Sequence, residues 1–315
     1  MTPMTIAPDR KRLALLFIGI VALYAVVQAG LSAGWIGRFY ENMLMNIGIN
    51  IMLAASLHLI IGVTGQFSIG HAGFLAVGAY TSAVLTTKLD QPFFLAILAA
   101  GVVAALFGLL VGAPTLRLRG DYLAIATLGF GEIVRITLYN IDYVGGAAGM
   151  QVKHLTNWTV LYGAVVVMLV VIANLTNSAH GRAMLAVRED EVAAEAMGVP
   201  TTYYKVLAFA VGAFFAGIAG AMYAHQFYII QPVAFSFLKS FEILVFVVLG
   251  GLGSLSGAVL AATLLSVVNI YLQAFPETRM ILYSLVLILV MLYRPQGLMG
   301  NRELGDLFRR RAKEA

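Results

Sequence analysis

Cysteine is absent from this sequence of 315 residues, which excludes disulfides, thiolate metal sites, iron–sulfur clusters and cysteine nucleophiles. Charged residues are also scarce, at 11% of the chain against roughly 25% in soluble proteins. Hydrophobic residues make up 61% of the chain, and this balance excludes a water-soluble protein. The sequence also lacks a Gly-x-x-x-x-Gly-Lys-Ser/Thr motif, so it contains no P-loop with which to bind ATP phosphates.

Apolar segments fill most of the chain. A helix that crosses a bilayer needs about 20 largely apolar residues, and ten segments approach or reach that length. They are 13–33, 43–63, 73–87, 94–113, 122–139, 158–175, 206–224, 241–253, 256–273 and 279–293. The sequence therefore predicts an all-α, polytopic integral membrane helical bundle of about ten transmembrane segments. We expect one domain over residues 1–315, with its membrane core at 13–300.

The basic residues predict which loops face the cytoplasm, because cytoplasmic loops carry an excess of Lys and Arg. With the N-terminus inside, fourteen Lys and Arg residues fall on the inner side and five on the outer side. We therefore expect both termini in the cytoplasm, together with the loop at 177–205 and the basic tail at 301–315. These residues lie at the ends of apolar segments and form no stripe with interleaved aromatics, which argues against nucleic-acid binding.

A polar, glycine-rich stretch at 65–74 separates two apolar segments and predicts a broken helix. A helix break frees backbone groups, and at membrane depth it is tolerated where it is buried in protein or lines a hydrated cavity. The stretch is therefore a candidate translocation pathway, or else its polar side chains satisfy the opened backbone themselves. The candidate pathway residues are Gly65, Gln66, Ser68, Gly70, His71 and Gly73.

Two charged residues lie inside the apolar segment at 122–139. Glu132 and Arg135 have the i, i+3 spacing that brings side chains together on a helix. An unpaired charge there costs about 2.5–3.5 kcal/mol on insertion scales, so we expect an intramembrane ion pair. The spacing favours equally a functional pair and a pair that fixes the position of the helix.

The loop at 177–205 is the only sizeable polar interior loop, and the composition of 181–199 is typical of a helix. Gly198 and Pro200 supply the stop signal. One helix face would carry Ala186, Asp190, Ala193, Ala194 and Met197. Such a helix either docks into a groove of a soluble motor protein or is a solvated surface helix.

The five histidines are dispersed, and none are spaced i, i+4 as in a helical metal site. We therefore expect no metal site. Ser68 and His71 could be regarded as a catalytic pair, but no carboxylate nearby in the sequence would orient the imidazole. We therefore expect no enzymatic activity.

Several stretches together resemble one known family, the LivM-type permeases of bacterial branched-chain amino acid ABC importers. The resemblance covers roughly residues 40–300. It is carried by GQFSIGHAGF at 65–74, RGDYLAIATLGFGEI at 119–133, GGAAG at 145–149, the stretch 181–198, FSFLKSFE at 235–242 with GGLGS at 250–254, and YRPQGL at 293–298.

This resemblance implies a multi-pass permease subunit of the bacterial inner membrane. Its implied partners are a LivH-like permease, two cytoplasmic ATP-binding subunits and a periplasmic substrate-binding protein. ATP and Mg would be used by the ATPase subunits, so the chain itself would hold no cofactor. The residues that look like the family's ATPase-coupling helix are Arg188, Glu189, Asp190, Ala193, Ala194, Glu195 and Gly198.

Other functions remain open. Permeases for urea or short-chain amides belong to the same wider superfamily, and the stretches 145–149 and 235–242 look closer to the amino-acid branch. An ion-coupled secondary transporter would need no ATPase. An intramembrane enzyme that uses Ser68 or His71 is a third, weaker alternative.

Overall fold

The computed structural model describes residues 10–115 and 120–272, with further short pieces between 281 and 303. Most of these residues are helical. The helices are α1 (Arg10–Ser32), α2 (Arg38–His58) with a π-helical turn at Leu59–Val63, α3 (His71–Thr87), α4 (Phe93–Thr115), α5 (Asp121–Asn140), α6 (Trp158–Asn177), α7 (Ala179–Glu189), α8 (Glu191–Ala196), α9 (Thr201–Gln226), α10 (Phe237–Gly250) and α11 (Leu255–Leu272). Two-residue strands β1 (Met150–Gln151) and β2 (Ile229–Ile230) pair antiparallel.

Six of the described helical stretches are long and apolar enough to cross a membrane. They are Arg38–Val63, Phe93–Pro114, Asp121–Asn140, Trp158–Asn177, Thr201–Gln226 and Leu255–Leu272. The prediction of an all-α, multi-pass membrane protein is therefore confirmed. The count of ten spans, the single domain and the cytoplasmic termini stay predictions. The predicted segment at 279–293 and the tail at 301–315 lie largely outside the described residues.

Two helices that correspond to predicted transmembrane segments are short. The helix α3 has 17 residues and α10 has 14. At about 1.5 Å per residue, they extend roughly 26 and 21 Å, less than the ~30 Å hydrocarbon core. Each begins after a stretch without α-helix, at 64–70 and at 227–236, and the second stretch contains a 3-10 helical turn at Pro232–Phe235.

Small residues bring α3, α4 and α9 into close contact at the centre of the bundle. A Cβ atom on Gly217 would lie 2.5 Å from the carbonyl oxygen of Ala100 in α4. On the neighbouring helix, Gly78 packs directly on the backbone of Gly217. Backbones that touch in this way gain van der Waals contact, which stabilises helix pairs in lipid. The core thus fixes the position of α3 and of the break before it.

Candidate functional site

The break between α2 and α3 begins after the π-helical turn and ends at Gly70. Gly65 adopts a left-handed conformation, with φ of 72°, which glycine tolerates best. The opened backbone is partly satisfied within the break. Thr64 Oγ1 and the backbone N of Gln66 both donate to the Ile60 carbonyl, at 2.7 and 3.1 Å. Residues of the break therefore replace part of the lost helical bonding.

The polar side chains in the break are buried. Gln66 Nε2 donates to Thr64 Oγ1 at 2.9 Å and to the Lys205 carbonyl at 3.2 Å. The Nε2 atom of His71 lies 2.7 Å from Ser56 Oγ. Among the residues that the structure describes, Gln66 Oε1, Ser68 Oγ and His71 Nδ1 have no hydrogen-bond partner. Buried polar atoms usually have a partner, so this stretch has unused capacity to bind a polar group.

Ser68 and His71 do not form the hydrogen-bonded pair that a serine nucleophile requires. His71 contacts Ser56 instead, and Ser68 Oγ is one of the unpartnered atoms within the described ranges. Across all the residues that the structure describes, no group of three His, Asp or Glu side chains is arranged to hold a metal ion.

The glycines at the start of α3 let this helix touch α5. A Cβ atom on Gly70 would overlap the carbonyl oxygen of Thr127, and one on Gly73 would lie 2.9 Å from Gly131 Cα. The backbone N of Ile69 donates to Thr127 Oγ1 at 3.1 Å. These glycines therefore allow a close contact between α3 and α5. That they also line a translocation pathway stays a prediction.

Glu132 and Arg135 contact each other and also reach a third element. Arg135 Nη2 lies 2.7 Å from Glu132 Oε2, and Arg135 Nε donates to the same oxygen at 2.8 Å. The other oxygen, Glu132 Oε1, accepts from the backbone N of Phe237 at 3.1 Å. A carboxylate at this position accepts a hydrogen bond from an N–H in the first turn of α10, which has no partner within that helix. Its negative charge also interacts favourably with the positive end of the α10 dipole. Through Glu132, the ion pair thus holds the start of α10 beside the middle of α5.

A polar network between α2, α10 and α11 was missed by reasoning from sequence. Lys239 Nζ lies 3.0 Å from Glu242 Oε2 and 3.2 Å from Asn50 Oδ1. Asn269 Nδ2 donates to Glu242 Oε1, and Asn50 Nδ2 donates to Ser266 Oγ. Lone asparagines inside apolar segments were the available signal, because an amide in hydrocarbon needs a partner.

The polar loop at 177–205 contains two helices, so the prediction of one helix over 181–199 is wrong. The chain turns at Asp190, whose backbone is extended. Asp190 Oδ1 accepts from the backbone N atoms of Val192 and Ala193, at 2.9 and 3.0 Å. Asp190 is therefore the N-cap of α8, a role that aspartate favours over a helix interior.

The predicted coupling residues differ in exposure. Ala194 is buried. The partly buried Arg188 donates through Nη1 to the carbonyl of Gly62, and its Nη2 lies 3.2 Å from Glu189 Oε1. The prediction that Ala194 shares one helix face with Ala186, Asp190, Ala193 and Met197 is therefore wrong. The exposed predicted residues are Glu189, Asp190, Ala193, Glu195 and Gly198. Two large apolar side chains beside them are also exposed, Val192 at 65% and Met197 at 84%.

The fold and the broken helix together define a multi-pass membrane protein of the transporter class. The family described as "Branched-chain amino acid transport system / permease component" matches residues 39–291. Because this match covers most of the chain, the chain belongs to that family. The resemblance seen in the sequence is confirmed.

Individual relatives agree with this assignment. The chain is 37% identical over 287 residues to the permease protein LivM of the high-affinity branched-chain amino acid transport system of Salmonella typhimurium, covering 80% of this chain and 68% of the relative. The Escherichia coli K12 LivM is 36% identical, with 88% of this chain and 74% of the relative covered. The Escherichia coli K12 LivH is 25% identical, with 80% and 92% covered. No solved structure matches the chain.

Proposed function

We propose that this chain is a permease subunit of an ATP-binding cassette importer that carries branched-chain or related hydrophobic amino acids across the bacterial inner membrane. The observation that carries the proposal is the family match over residues 39–291. The sequence has no P-loop of its own, so ATP and Mg would bind to partner ATPases. The chain itself would have no catalytic activity and no cofactor.

The proposed assembly contains a second, homologous permease, two ATP-binding subunits and a periplasmic binding protein. The similarity of this chain to LivH as well as LivM supports a pair of related permeases. Closure of the ATPases would then open the path alternately to each side.

The proposal is tested by reconstituting the complex in liposomes with its binding protein. We expect leucine uptake that requires ATP and disappears when the ATPase subunits are omitted. Transport by the isolated chain under an ion gradient would instead establish a secondary transporter. Uptake of urea in place of leucine would place the chain with the amide permeases.

Within this chain, we propose that the stretch 65–73, which contains the break and the first residues of α3, lies on the solute pathway. Its support is the set of three buried, unpartnered polar atoms on Gln66, Ser68 and His71 within the described part of the chain. A passing amino acid has charged groups that can bind such atoms. The break also interrupts the backbone where α3 meets α5.

We further propose that the exposed side of α8 contacts an ATPase. Val192 and Met197 are apolar and open to solvent, and apolar side chains in that setting are typical of an interface. The exposed predicted residues Glu189, Asp190, Ala193 and Glu195 surround them. The short α8 would thus be the element that the motor moves.

Met197→Glu should weaken ATPase association at least tenfold, because a carboxylate replaces a side chain that would be desolvated in the contact. The measurement is the amount of ATPase that co-purifies with the membrane-extracted chain. Tyr228→Glu is the matched control, since Tyr228 is also exposed, at 73%, but follows the opposite end of α9. Normal ATPase recovery with Met197→Glu would contradict the assignment of this surface.

Gly198→Val should lower uptake per ATP hydrolysed severalfold while the chain still inserts. Gly198 has φ of 83°, and a Cβ atom added to it would have no neighbouring atom within 4 Å. The substitution therefore strains the backbone without a clash. Gly198→Asn is the control, because asparagine tolerates the left-handed conformation better. If both variants couple normally, the turn after α8 does not transmit force.

A further inference from the structure

Arg188 connects the polar loop to the end of α2. Its Nη1 atom donates to the carbonyl oxygen of Gly62 at 2.5 Å. Gly62 lies in the π-helical turn, where the last carbonyls of a helix lack intrahelical partners. A guanidinium at this end of a helix also interacts favourably with the helix dipole. Arg188 is therefore a C-terminal cap supplied by a residue 126 positions away.

The aliphatic part of Arg188 covers the first residue of the break. A Cβ atom on Gly65 would lie 2.8 Å from Arg188 Cγ. The side chain thus contacts both the π-helical turn and the left-handed residue that follows it. Single-turn π-helical segments inside α-helices are often found at functional sites, and this one is held by a group from the loop.

Glu191 makes a second connection from the other side of Asp190. Its Oε1 atom lies 2.6 Å from Lys205 Nζ in the first turns of α9. The carbonyl of the same Lys205 accepts from Gln66 Nε2 at 3.2 Å. Arg188 and Glu191 thus flank the Asp190 turn, and both connections end within the segment 62–66.

We propose that Arg188 and Glu191 are positioning residues that transmit movement of α7 and α8 to the helix break. This inference rests on the proposed contact between α8 and an ATPase. The two connections are short and charge-assisted, and such hydrogen bonds are stronger than neutral ones. When the loop moves, Arg188 pulls on the π-helical turn and Glu191 moves Lys205, so the two sides of the break shift together.

The cysteine-free sequence allows a direct test. Phe67 lies in the break and is 38% exposed, so Phe67→Cys provides one thiol whose labelling reports on the break. In the assembled complex, we expect the labelling rate to change at least fivefold between nucleotide-free and ATP-trapped states. With Arg188→Met and Glu191→Gln added, the difference should fall below twofold, while the ATPases still bind and hydrolyse ATP.

The matched control replaces another arginine of α7. The side chain of Arg182 donates to the carbonyl of Asn177, and Arg182→Met removes this bond. This variant should keep the full nucleotide-dependent change. Arg188→Lys retains one donor and should give an intermediate change, which a fold defect would not produce.

The outcomes separate this inference from the proposed function. A nucleotide-dependent change that persists with Arg188→Met and Glu191→Gln overturns the transmission role but leaves the ATPase contact intact. Loss of the change in the Arg182→Met control overturns the role as well, because the effect would then be nonspecific. If the Phe67→Cys chain without further substitutions shows no nucleotide-dependent change in labelling, both the transmission role and the proposed ATPase contact are overturned.

Discussion

Gly70→Ala should reduce uptake at least tenfold, although the change adds only a methyl group. The added Cβ atom would overlap the carbonyl oxygen of Thr127, a backbone atom that cannot rotate away. Overpacking of this kind typically costs about 1–3 kcal/mol, and here the shift separates the start of α3 from α5. Gly70→Leu should block transport completely.

A graded series tests this explanation. Gly73→Ala should have an intermediate effect, since its Cβ atom would lie 2.9 Å from Gly131 Cα and 3.0 Å from Phe130 Cε1. Gly131→Ala is the matched control across the same contact, with its nearest atom at 3.7 Å, and should retain uptake within twofold. The amount of chain in the membrane is measured beside uptake. An equal effect of all three substitutions would show that close packing is not the cause.

Local pattern was sufficient to predict the helical character of this chain. Helices α4 and α9, for example, follow from continuous apolar composition with few charges. The same criterion could not distinguish a full span from a shorter helix. Short helices such as α3 and α10 are largely apolar, although α10 contains Lys239 and Glu242. Their length depends on where neighbouring helices provide partners for their first N–H groups.

The contacts that organise the candidate site are distant in sequence, and this is why they could not be predicted. Glu132 binds the backbone of Phe237 across 105 positions, and Arg188 binds Gly62 across 126. Spacing identified Glu132 with Arg135, because a helix brings i and i+3 together. Spacing could not identify Phe237 as a partner of Glu132 or Gly62 as a partner of Arg188, because both contacts depend on how the helices pack.

The turn at Asp190 is a different case, since its signal was present in the sequence. Aspartate is among the strongest N-cap residues, and Asp190 precedes the run of helix-forming residues in α8. Alanine-rich composition on both sides favoured one continuous helix. The side-chain bonds to Val192 and Ala193 outweigh that propensity, and they separate the inward-facing Arg188 from the exposed side of α8.

The second large effect is expected at the ion pair in α5. Glu132→Gln leaves Arg135 without its counter-charge inside a span, whereas the amide oxygen can still accept from Phe237. An unpaired charge in a span costs about 2.5–3.5 kcal/mol. Because the two side chains are 27% and 23% exposed, we reduce the expected loss of stability to about 2 kcal/mol. Arg135→Gln should cost a similar amount.

The double variant Glu132→Gln with Arg135→Gln distinguishes the two roles that the sequence left open. If the pair only fixes α5 and α10, removing both charges should recover most of the stability and the uptake, measured as the midpoint of thermal inactivation and as transport rate. Lys153→Gln is the control, since it breaks a solvent-exposed ion pair with Asp90 and should leave both quantities unchanged. Recovery of stability without recovery of uptake would mean that one of these charges acts directly on the solute, because a purely structural pair restores both together.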